Sequence, residues 1–210
     1  MCKLQVRAEW QEKFQAHELN SLSAVLNLEL EKLEGCCLPC GTETFKLDSE
    51  AELLCLKREK KIPCSRILRD LLKFKFPQTR TSRERKAITL LRRAGFLVPR
   101  IIAWSEKNCL GLPRAGALIV QAPPGQNLPC FLNTELDVEA RRRGVEKAEA
   151  TLLAMHSMGF VWPDCRAENF LVLPDGEIGL VNLGSVRRYK ILDQEECQQQ
   201  FEVFYSSLFD

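Results

Sequence analysis

The chain has 210 residues, of which 45% are hydrophobic and 28% are charged, and its formal net charge is +2. These values are typical of a soluble globular protein that buries a substantial core as one domain or one two-lobed unit. Because no run of eighteen apolar residues is present and the first residues lack the apolar stretch of a signal peptide, we expect a cytoplasmic protein without a membrane span.

The first predicted element is a largely helical segment over residues 10–34, where apolar residues recur at helical spacing. Gly35 ends this segment, and Pro39 and Gly41 keep the following stretch irregular.

The irregular stretch holds Cys36, Cys37 and Cys40, which form the only cluster among the ten cysteines. A zinc site needs four ligands, usually as two such pairs, and the chain has only two histidines. Without a signal peptide the cysteines are expected to be reduced. We therefore favour a loop with free thiols over a zinc site.

Two short strands are predicted over residues 44–47 and 53–57, and residues 48–50 between them have the chemistry of a turn. An amphipathic helix is predicted next, over residues 65–76, with four aliphatic side chains on one side.

A further helix is predicted to start at a cap formed by Thr81 or Ser82 and to end at Gly95. Residues 57–93 carry fourteen Lys and Arg residues against three acidic ones. Such a basic block can face nucleic acid, an anionic lipid surface or a phosphorylated ligand, or it can be a solvated helix face. Because only two phenylalanines are interleaved with these charges, we expect no nucleic-acid partner.

Strands are also predicted over residues 98–103 and 117–121, before the turn residues Pro123-Pro124-Gly125. These turn residues are the predicted boundary between two lobes. Residues 1–122 would form an N-lobe built on an antiparallel sheet, and residues 123–210 a short, mainly helical C-lobe.

A long helix over residues 138–158 is predicted to end at Gly159, and a hairpin follows. Asp175-Gly176 between apolar runs favours a two-residue type I′ turn. That register places Asn169 directly opposite Asn182, with Cβ atoms roughly 4.5–5.5 Å apart. Two oxygen-bearing side chains at the open end of an apolar hairpin suit a hard cation such as Mg²⁺.

Asp164 lies five residues before Asn169. Together with the motifs around it, Asp164 gives the sequence a resemblance to proteins of the protein-kinase-like fold. Asp164-Cys-Arg-Ala-Glu-Asn169 is similar to the catalytic loop D-x-x-x-x-N, and Asn182-Leu183-Gly184 stands where kinases carry D-F-G. Lys57 resembles the strand lysine that holds nucleotide phosphates, and Glu84 resembles the helix glutamate that pairs with it.

Among kinase-like families, the flanking sequences resemble the bacterial lipopolysaccharide kinases, which phosphorylate Kdo or heptose of the lipid A core. The resemblance covers roughly residues 45–210 and includes the segments 82–87, 94–99 and 181–188. It implies an α+β, bilobal protein-kinase-like fold and ATP-dependent phosphorylation of a hydroxyl on a core sugar.

The same resemblance implies a role for each matching residue. Lys57 would hold the α- and β-phosphates of ATP, and Glu84 would orient Lys57. Gln121 and Ala122 would offer backbone groups to adenine at the hinge between the lobes. Asp164 would accept the proton of the substrate hydroxyl. The expected partners are a glycan or lipid-linked sugar and, through the basic block, the anionic inner face of the membrane.

Asn169 and Asn182 would hold Mg²⁺, although Asn182 replaces the aspartate of D-F-G and removes one negative charge from the site. Trp162 replaces the histidine of H-R-D, and the chain has no G-x-G-x-x-G loop. A catalytically impaired pseudokinase, acting as a nucleotide-binding or scaffold module, is therefore the alternative to an active kinase.

Overall fold

The computed structural model describes residues 2–28, 43–45, 54–72, 74 and 76–208. The chain divides into two compact units. The first contains the described residues up to Lys86 together with Arg100–Ala122. The second contains Ala87–Pro99 and the residues from Pro123 onward.

The first unit is built on an antiparallel sheet. Its strands in the described ranges are β1 (Gln5–Val6), β2 (Glu43–Phe45), β3 (Leu54–Glu59), β4 (Arg100–Cys109) and β5 (Leu112–Gln121). Their order in the sheet is β1-β4-β5-β3-β2. Strand β5 is therefore central and pairs with β4 on one side and β3 on the other. The central strand β5 is buried along most of its length, which agrees with its run of apolar residues.

Strands β2 and β3 confirm the two strands predicted near residues 44–47 and 53–57, and the predicted turn at residues 48–50 lies outside the described residues. Strands β4 and β5 are each ten residues long, whereas shorter strands were predicted. The last three residues of β4, 107–109, are exposed, so this end lacks the apolar pattern of a buried strand.

Two short helices, α1 (Gln11–Ala16) and α2 (Leu22–Asn27), pack on the sheet of the first unit. The core that they form with the sheet consists of Leu4, Trp10, Phe14, Leu19, Leu22, Val25, Leu54, Leu56, Ile102, Ala103, Ala117 and Ile119. The prediction of a largely helical segment over residues 10–34 is confirmed in the described part, where the segment forms two helices and not one. The helix breaks where Glu18 takes a φ of 55°, and Leu28 leaves α2 with a ψ of 122°.

Two further helices, α3 (Cys64–Leu72) and α4 (Arg80–Arg93), follow β3. The predicted cap of α4 at Thr81 or Ser82 is wrong by two or three residues. The Thr79 hydroxyl accepts a hydrogen bond from the backbone N–H of Ser82 at 2.9 Å, so Thr79 caps the helix. The predicted end is confirmed, because Gly95 follows with a φ of 92°.

The second unit is mainly helical, with short strands. Its helices in the described part of the chain are α5 (Leu128–Thr134), α6 (Val138–Ser157) and α7 (Gln194–Ser206), and its strands are β6 (Gln126–Asn127), β7 (Phe160–Val161), β8 (Phe170–Val172), β9 (Ile178–Leu180) and β10 (Arg187–Arg188). Strands β6, β8 and β9 form one small sheet in that order, and β7 pairs with β10. Helix α6 ends before Gly159, as predicted.

Ala87–Pro99 groups with the second unit although it precedes β4 in sequence. The backbone N–H of Leu180 donates to the carbonyl of Leu97 at 2.8 Å, and the rings of Phe96 and Phe160 pack edge to face. These contacts explain why the end of α4 and the following loop belong with the hairpin of β8 and β9.

The predicted register of that hairpin is wrong by one residue. The structure pairs Phe170 with Leu180 and Val172 with Ile178. The loop therefore contains three residues, Pro174, Asp175 and Gly176, with Gly176 in the left-handed region at a φ of 75°. A turn followed by a left-handed glycine is the other common hairpin loop, and an Asp-Gly pair suits both forms.

Candidate functional site

In the first unit, Lys57 and Glu84 form a largely buried ion pair. Lys57 lies on β3 opposite Leu118 of β5, and Glu84 lies on α4, one turn after the helix begins. The Lys57 Nζ donates to the Glu84 Oε1 at 2.6 Å, and the two side chains are 16% and 7% exposed. The structure thus brings together the two residues that the sequence suggested as partners, and it fixes the position of the ammonium group.

Replacing Lys57 with methionine is expected to lower the free energy of unfolding by about 2–3 kcal/mol, because it leaves the Glu84 carboxylate buried without its partner. The double variant Lys57→Met, Glu84→Leu should recover most of this loss. Chemical denaturation of Lys57→Met, of the double variant and of a control variant measures these free energies of unfolding. Arg142→Met, which breaks exposed ion pairs with Glu139 and Glu146, is the control. Equal losses in Lys57→Met and Arg142→Met would contradict a stronger, largely buried pair at Lys57.

Gln121 and Ala122 lie at the end of the first unit. Gln121 is the last residue of β5, paired with Leu54 on one side and Arg100 on the other. Ala122 follows the strand, so its backbone is outside the sheet pairing. Their expected contact with adenine remains a prediction.

In the second unit, Asp164, Asn169 and Asn182 lie together. The Asn169 Nδ2 donates to the backbone carbonyl of Asp164 at 2.9 Å, and the Asn182 Nδ2 donates to the Asp164 Oδ2 at 3.3 Å. The convergence predicted from the sequence therefore exists, but its cause differs from the predicted cause. Asn182 is not opposite Asn169 in the hairpin, because the carbonyl of Asn169 accepts from the backbone N–H of Val181 instead.

The backbone conformation of Asn182 compensates for the one-residue shift. Asn182 has a φ of 58° and a ψ of 48°, the left-handed conformation that asparagine tolerates better than other residues with a side chain. This turn directs the chain away from the hairpin and leaves the Asn182 amide within reach of the Asp164 carboxylate. The asparagine at position 182 thus permits the left-handed backbone and also supplies the amide that contacts Asp164.

Asn169 carries a buried acceptor with no partner. Its side chain is fully buried, its Nδ2 is bonded to Asp164, and its Oδ1 accepts no hydrogen bond. A buried unsatisfied amide oxygen is costly unless an ion or water completes it. Amide and carboxylate oxygens are the ligands that Mg²⁺ accepts, so Asn169, Asn182 and Asp164 fit such an ion.

The site nevertheless offers a divalent ion little charge. No cluster of three His, Cys, Asp or Glu side chains suited to a metal occurs among the residues that the structure describes. Asp164 is the only carboxylate of the group formed with Asn169 and Asn182. The residues present therefore fit a weakly held Mg²⁺ better than a tightly held one.

Helix α7 holds the loop that carries Asp164, and the sequence did not predict this. The Gln200 Oε1 accepts from the backbone N–H of Trp162 at 2.6 Å and contacts the His156 Nε2 at 3.2 Å. The carbonyl of Gln200 accepts from the Cys165 thiol at 3.0 Å. Gln200 is only 2% exposed. Its position in the apolar stripe of α7 was the available indication, since a glutamine there needs a polar partner.

Apolar contacts complete the attachment of this loop. The Trp162 ring packs on Phe170, and Phe170 packs on Phe204 of α7, with centroids 5.1 Å apart in both pairs. Trp162 stands where H-R-D has its histidine, so aromatic packing fills that position here. Burial raises the pKa of the Cys165 thiol to about 12, with the Asp164 carboxylate contributing, so Cys165 is a packed thiol and not a nucleophile.

The architecture and the site define a protein-kinase-like fold of the α+β class. The co-crystal structure of WbdD with the kinase inhibitor LY294002 is similar to this chain with a TM-score of 0.53 and 21% identity, over 81% of this chain and 36% of that one. The structure of monomeric WbdD has a TM-score of 0.46 and 23% identity, over 75% and 35%. The chain thus spans about a third of the length of these solved structures.

The chain belongs to the lipopolysaccharide kinase (Kdo/WaaP) family, whose model matches residues 41–204. This is a kinase family, which implies ATP as the phosphoryl donor and typically a divalent metal. A comparison with curated proteins finds no match. Residues 2–28 precede the family match, yet their side chains form a large part of the core of the first unit.

Proposed function

We propose that this chain phosphorylates a hydroxyl of a lipopolysaccharide core sugar, Kdo or heptose, with ATP as the donor. The observation that carries this proposal is the group formed by Asp164, Asn169 and Asn182, which lies within the family match. The fold-level similarity to a kinase supports the reaction class, and the family supports the class of acceptor.

The residue group around Lys57 and the residue group around Asp164 would have different roles in this reaction. The Lys57 ammonium, held by Glu84, would bind the α- and β-phosphates of ATP, and the backbone of Gln121 and Ala122 would bind adenine. The Asp164 carboxylate would accept the proton of the sugar hydroxyl. The hydroxyl oxygen then bonds to the γ-phosphorus while the bond to the β–γ bridging oxygen breaks and ADP leaves.

The two asparagines of the site would be the metal ligands. Asn169, with its unpaired buried Oδ1, and Asn182 would hold Mg²⁺ near Asp164. A bound Mg²⁺ would neutralise charge on the phosphate oxygens. Since catalysis of phosphoryl transfer depends on positioning and charge, a site with so little negative charge is expected to need a high Mg²⁺ concentration.

A pseudokinase is the second candidate, and one observation favours it. The Asn182 side chain donates to the Asp164 Oδ2, so it occupies a lone pair of the expected base and supplies no negative charge to a metal. Such a chain would bind nucleotide as a scaffold without transferring phosphate.

The variant Asn182→Asp tests the metal assignment. It is expected to bind Mg²⁺ at least tenfold more tightly in the presence of ATP, because a second carboxylate joins Asp164. Without Mg²⁺ its melting temperature should fall by several degrees, since two carboxylates lie side by side, and Mg²⁺ should restore it. Calorimetry of Mg²⁺–ATP binding and thermal unfolding measure the two effects.

The control is Asn133→Asp, which adds the same charge at an exposed position on α5. Unchanged Mg²⁺ dependence in Asn182→Asp would show that Asn182 is not at the metal. Transfer of phosphate from ATP by the unaltered chain to Kdo- or heptose-containing acceptors identifies a kinase. Nucleotide binding without transfer in both proteins identifies a pseudokinase.

A further inference from the structure

Helix α3 exposes an apolar stripe. Ile67 is buried, but Leu68, Leu71 and Leu72 are 59%, 45% and 72% exposed. Residues three and four apart lie on the same side of a helix, so these leucines form a continuous strip beside Ile67. The sequence predicted an apolar side for this helix, and only its edge at Ile67 is covered in the described structure.

Two exposed aromatic side chains follow the helix in sequence. Phe74 is 100% exposed and Phe76 is 68% exposed, and both lie within four residues of the end of α3. We call Leu68, Leu71, Leu72, Phe74 and Phe76 the α3 apolar surface. Five of the fifteen exposed large apolar side chains in the described part of the chain fall within the nine residues from Leu68 to Phe76, and concentrations of exposed apolar side chains mark interaction sites.

Exposed cations lie next to this surface in sequence. Lys60 and Lys61 are exposed just before α3, and Arg69 is exposed on the helix itself. The acidic residues of this stretch are Glu59 and the half-buried Asp70, and Asp70 offsets one of the three exposed cations. Glu59 does not offset the exposed cations, because it forms an ion pair with Arg66 and accepts from the backbone N–H of Arg80.

We propose that the α3 apolar surface docks this chain on an anionic phospholipid surface. Leucine and phenylalanine side chains of such a helix enter the boundary between headgroups and acyl chains, and nearby Lys and Arg side chains bind the anionic headgroups. Within the described residues no helix is long and apolar enough to cross a bilayer, so α3 would lie in the interface.

The positive charge near the α3 apolar surface favours an anionic lipid surface over a second copy of the chain as its binding partner. A two-fold contact between copies through this surface would bring Lys60, Lys61 and Arg69 of both copies close together, and like charges would oppose it. An anionic lipid surface supplies the complementary sign. The inference does not depend on the proposed phosphotransfer, because it concerns residues outside the proposed catalytic group.

Co-sedimentation of the full chain with vesicles tests the proposal. The chain is expected to bind vesicles of phosphatidylcholine with 30% phosphatidylglycerol much more strongly than vesicles of phosphatidylcholine alone, and high salt should weaken the binding. The double variant Leu68→Ser, Leu72→Ser should lower the partition coefficient at least tenfold. Lys60→Gln, Lys61→Gln should lower it several-fold.

The matched control is Leu110→Ser, Leu136→Ser, which removes two leucines that are 97% and 91% exposed elsewhere and should leave binding unchanged. Equal melting temperatures of the variants establish that they are folded. Three results would each overturn the proposal: no binding to anionic vesicles, equal binding by the α3 variant, or a dimer in solution that the α3 variant abolishes. A chain that binds vesicles but transfers no phosphate would refute the proposed function alone.

Discussion

Replacing Asp164 with asparagine is expected to lower the rate of phosphoryl transfer about 10³-fold while the protein stays folded and still binds ATP. The two side chains have the same shape, but an amide cannot take up the proton of the acceptor hydroxyl, and general-base catalysis contributes roughly 10²–10⁴-fold. The backbone carbonyl of Asp164, which holds Asn169, is unchanged by the substitution. Initial rates of ADP release with a Kdo or heptose acceptor measure the effect.

Asp175→Asn is the control, because it makes the same change in the exposed loop of the adjacent hairpin. The Asp175 Oδ1 accepts from the backbone N–H of Glu177, and an asparagine can retain that bond. An Asp164→Asn variant that keeps more than a tenth of the activity would mean that another group accepts the proton. A loss of ATP binding in that variant would instead place Asp164 in nucleotide binding.

The parts of the fold that sequence predicted well are those governed by local patterns. Helix α6 has a long periodic sequence and a glycine after its last turn, and strand β3 begins with a continuous apolar run just before Lys57. The hairpin of β8 and β9 was also predicted, but its register was not. An Asp-Gly pair permits both a two-residue and a three-residue loop, and contacts with distant residues such as Leu97 decide between them.

The geometry of the site was less accessible from the sequence. The contact between Asn182 and Asp164 depends on a left-handed backbone at Asn182, and no spacing rule gives that conformation. The contact of Gln200 with Trp162 joins residues 38 positions apart, so it depends on tertiary packing. Motif order could identify which residues converge, whereas the cause of their convergence required the structure.

Gln200 is expected to act as a positioning residue for the loop that carries Asp164. Asp164 lies between Trp162 and Cys165, and Gln200 binds the backbone of the first and the thiol of the second. The hydroxyl of Ser207, the residue after the last turn of α7, accepts from the backbone N–H of Ala167 at 2.7 Å, so the loop is held on both sides of Asp164.

The variant Gln200→Leu should lower the free energy of unfolding by about 3–4 kcal/mol, because it leaves the buried N–H of Trp162 and the ring of His156 without their acceptor. For a chain of this size the melting temperature should fall by roughly 6–16 °C. At temperatures where the variant is still folded, phosphoryl transfer should fall ten- to a hundredfold, since a small displacement of the base is costly.

Gln199→Leu separates this role from a general effect of a leucine on α7, because Gln199 is exposed on the same helix. That control should keep both its melting temperature and its activity. If Gln200→Leu lost stability but kept full activity when folded, Gln200 would be structural without positioning Asp164. A fall in kcat with an unchanged KM for ATP is the expected signature, because the loop of Asp164 acts on the acceptor hydroxyl while Lys57 and Glu84 remain intact.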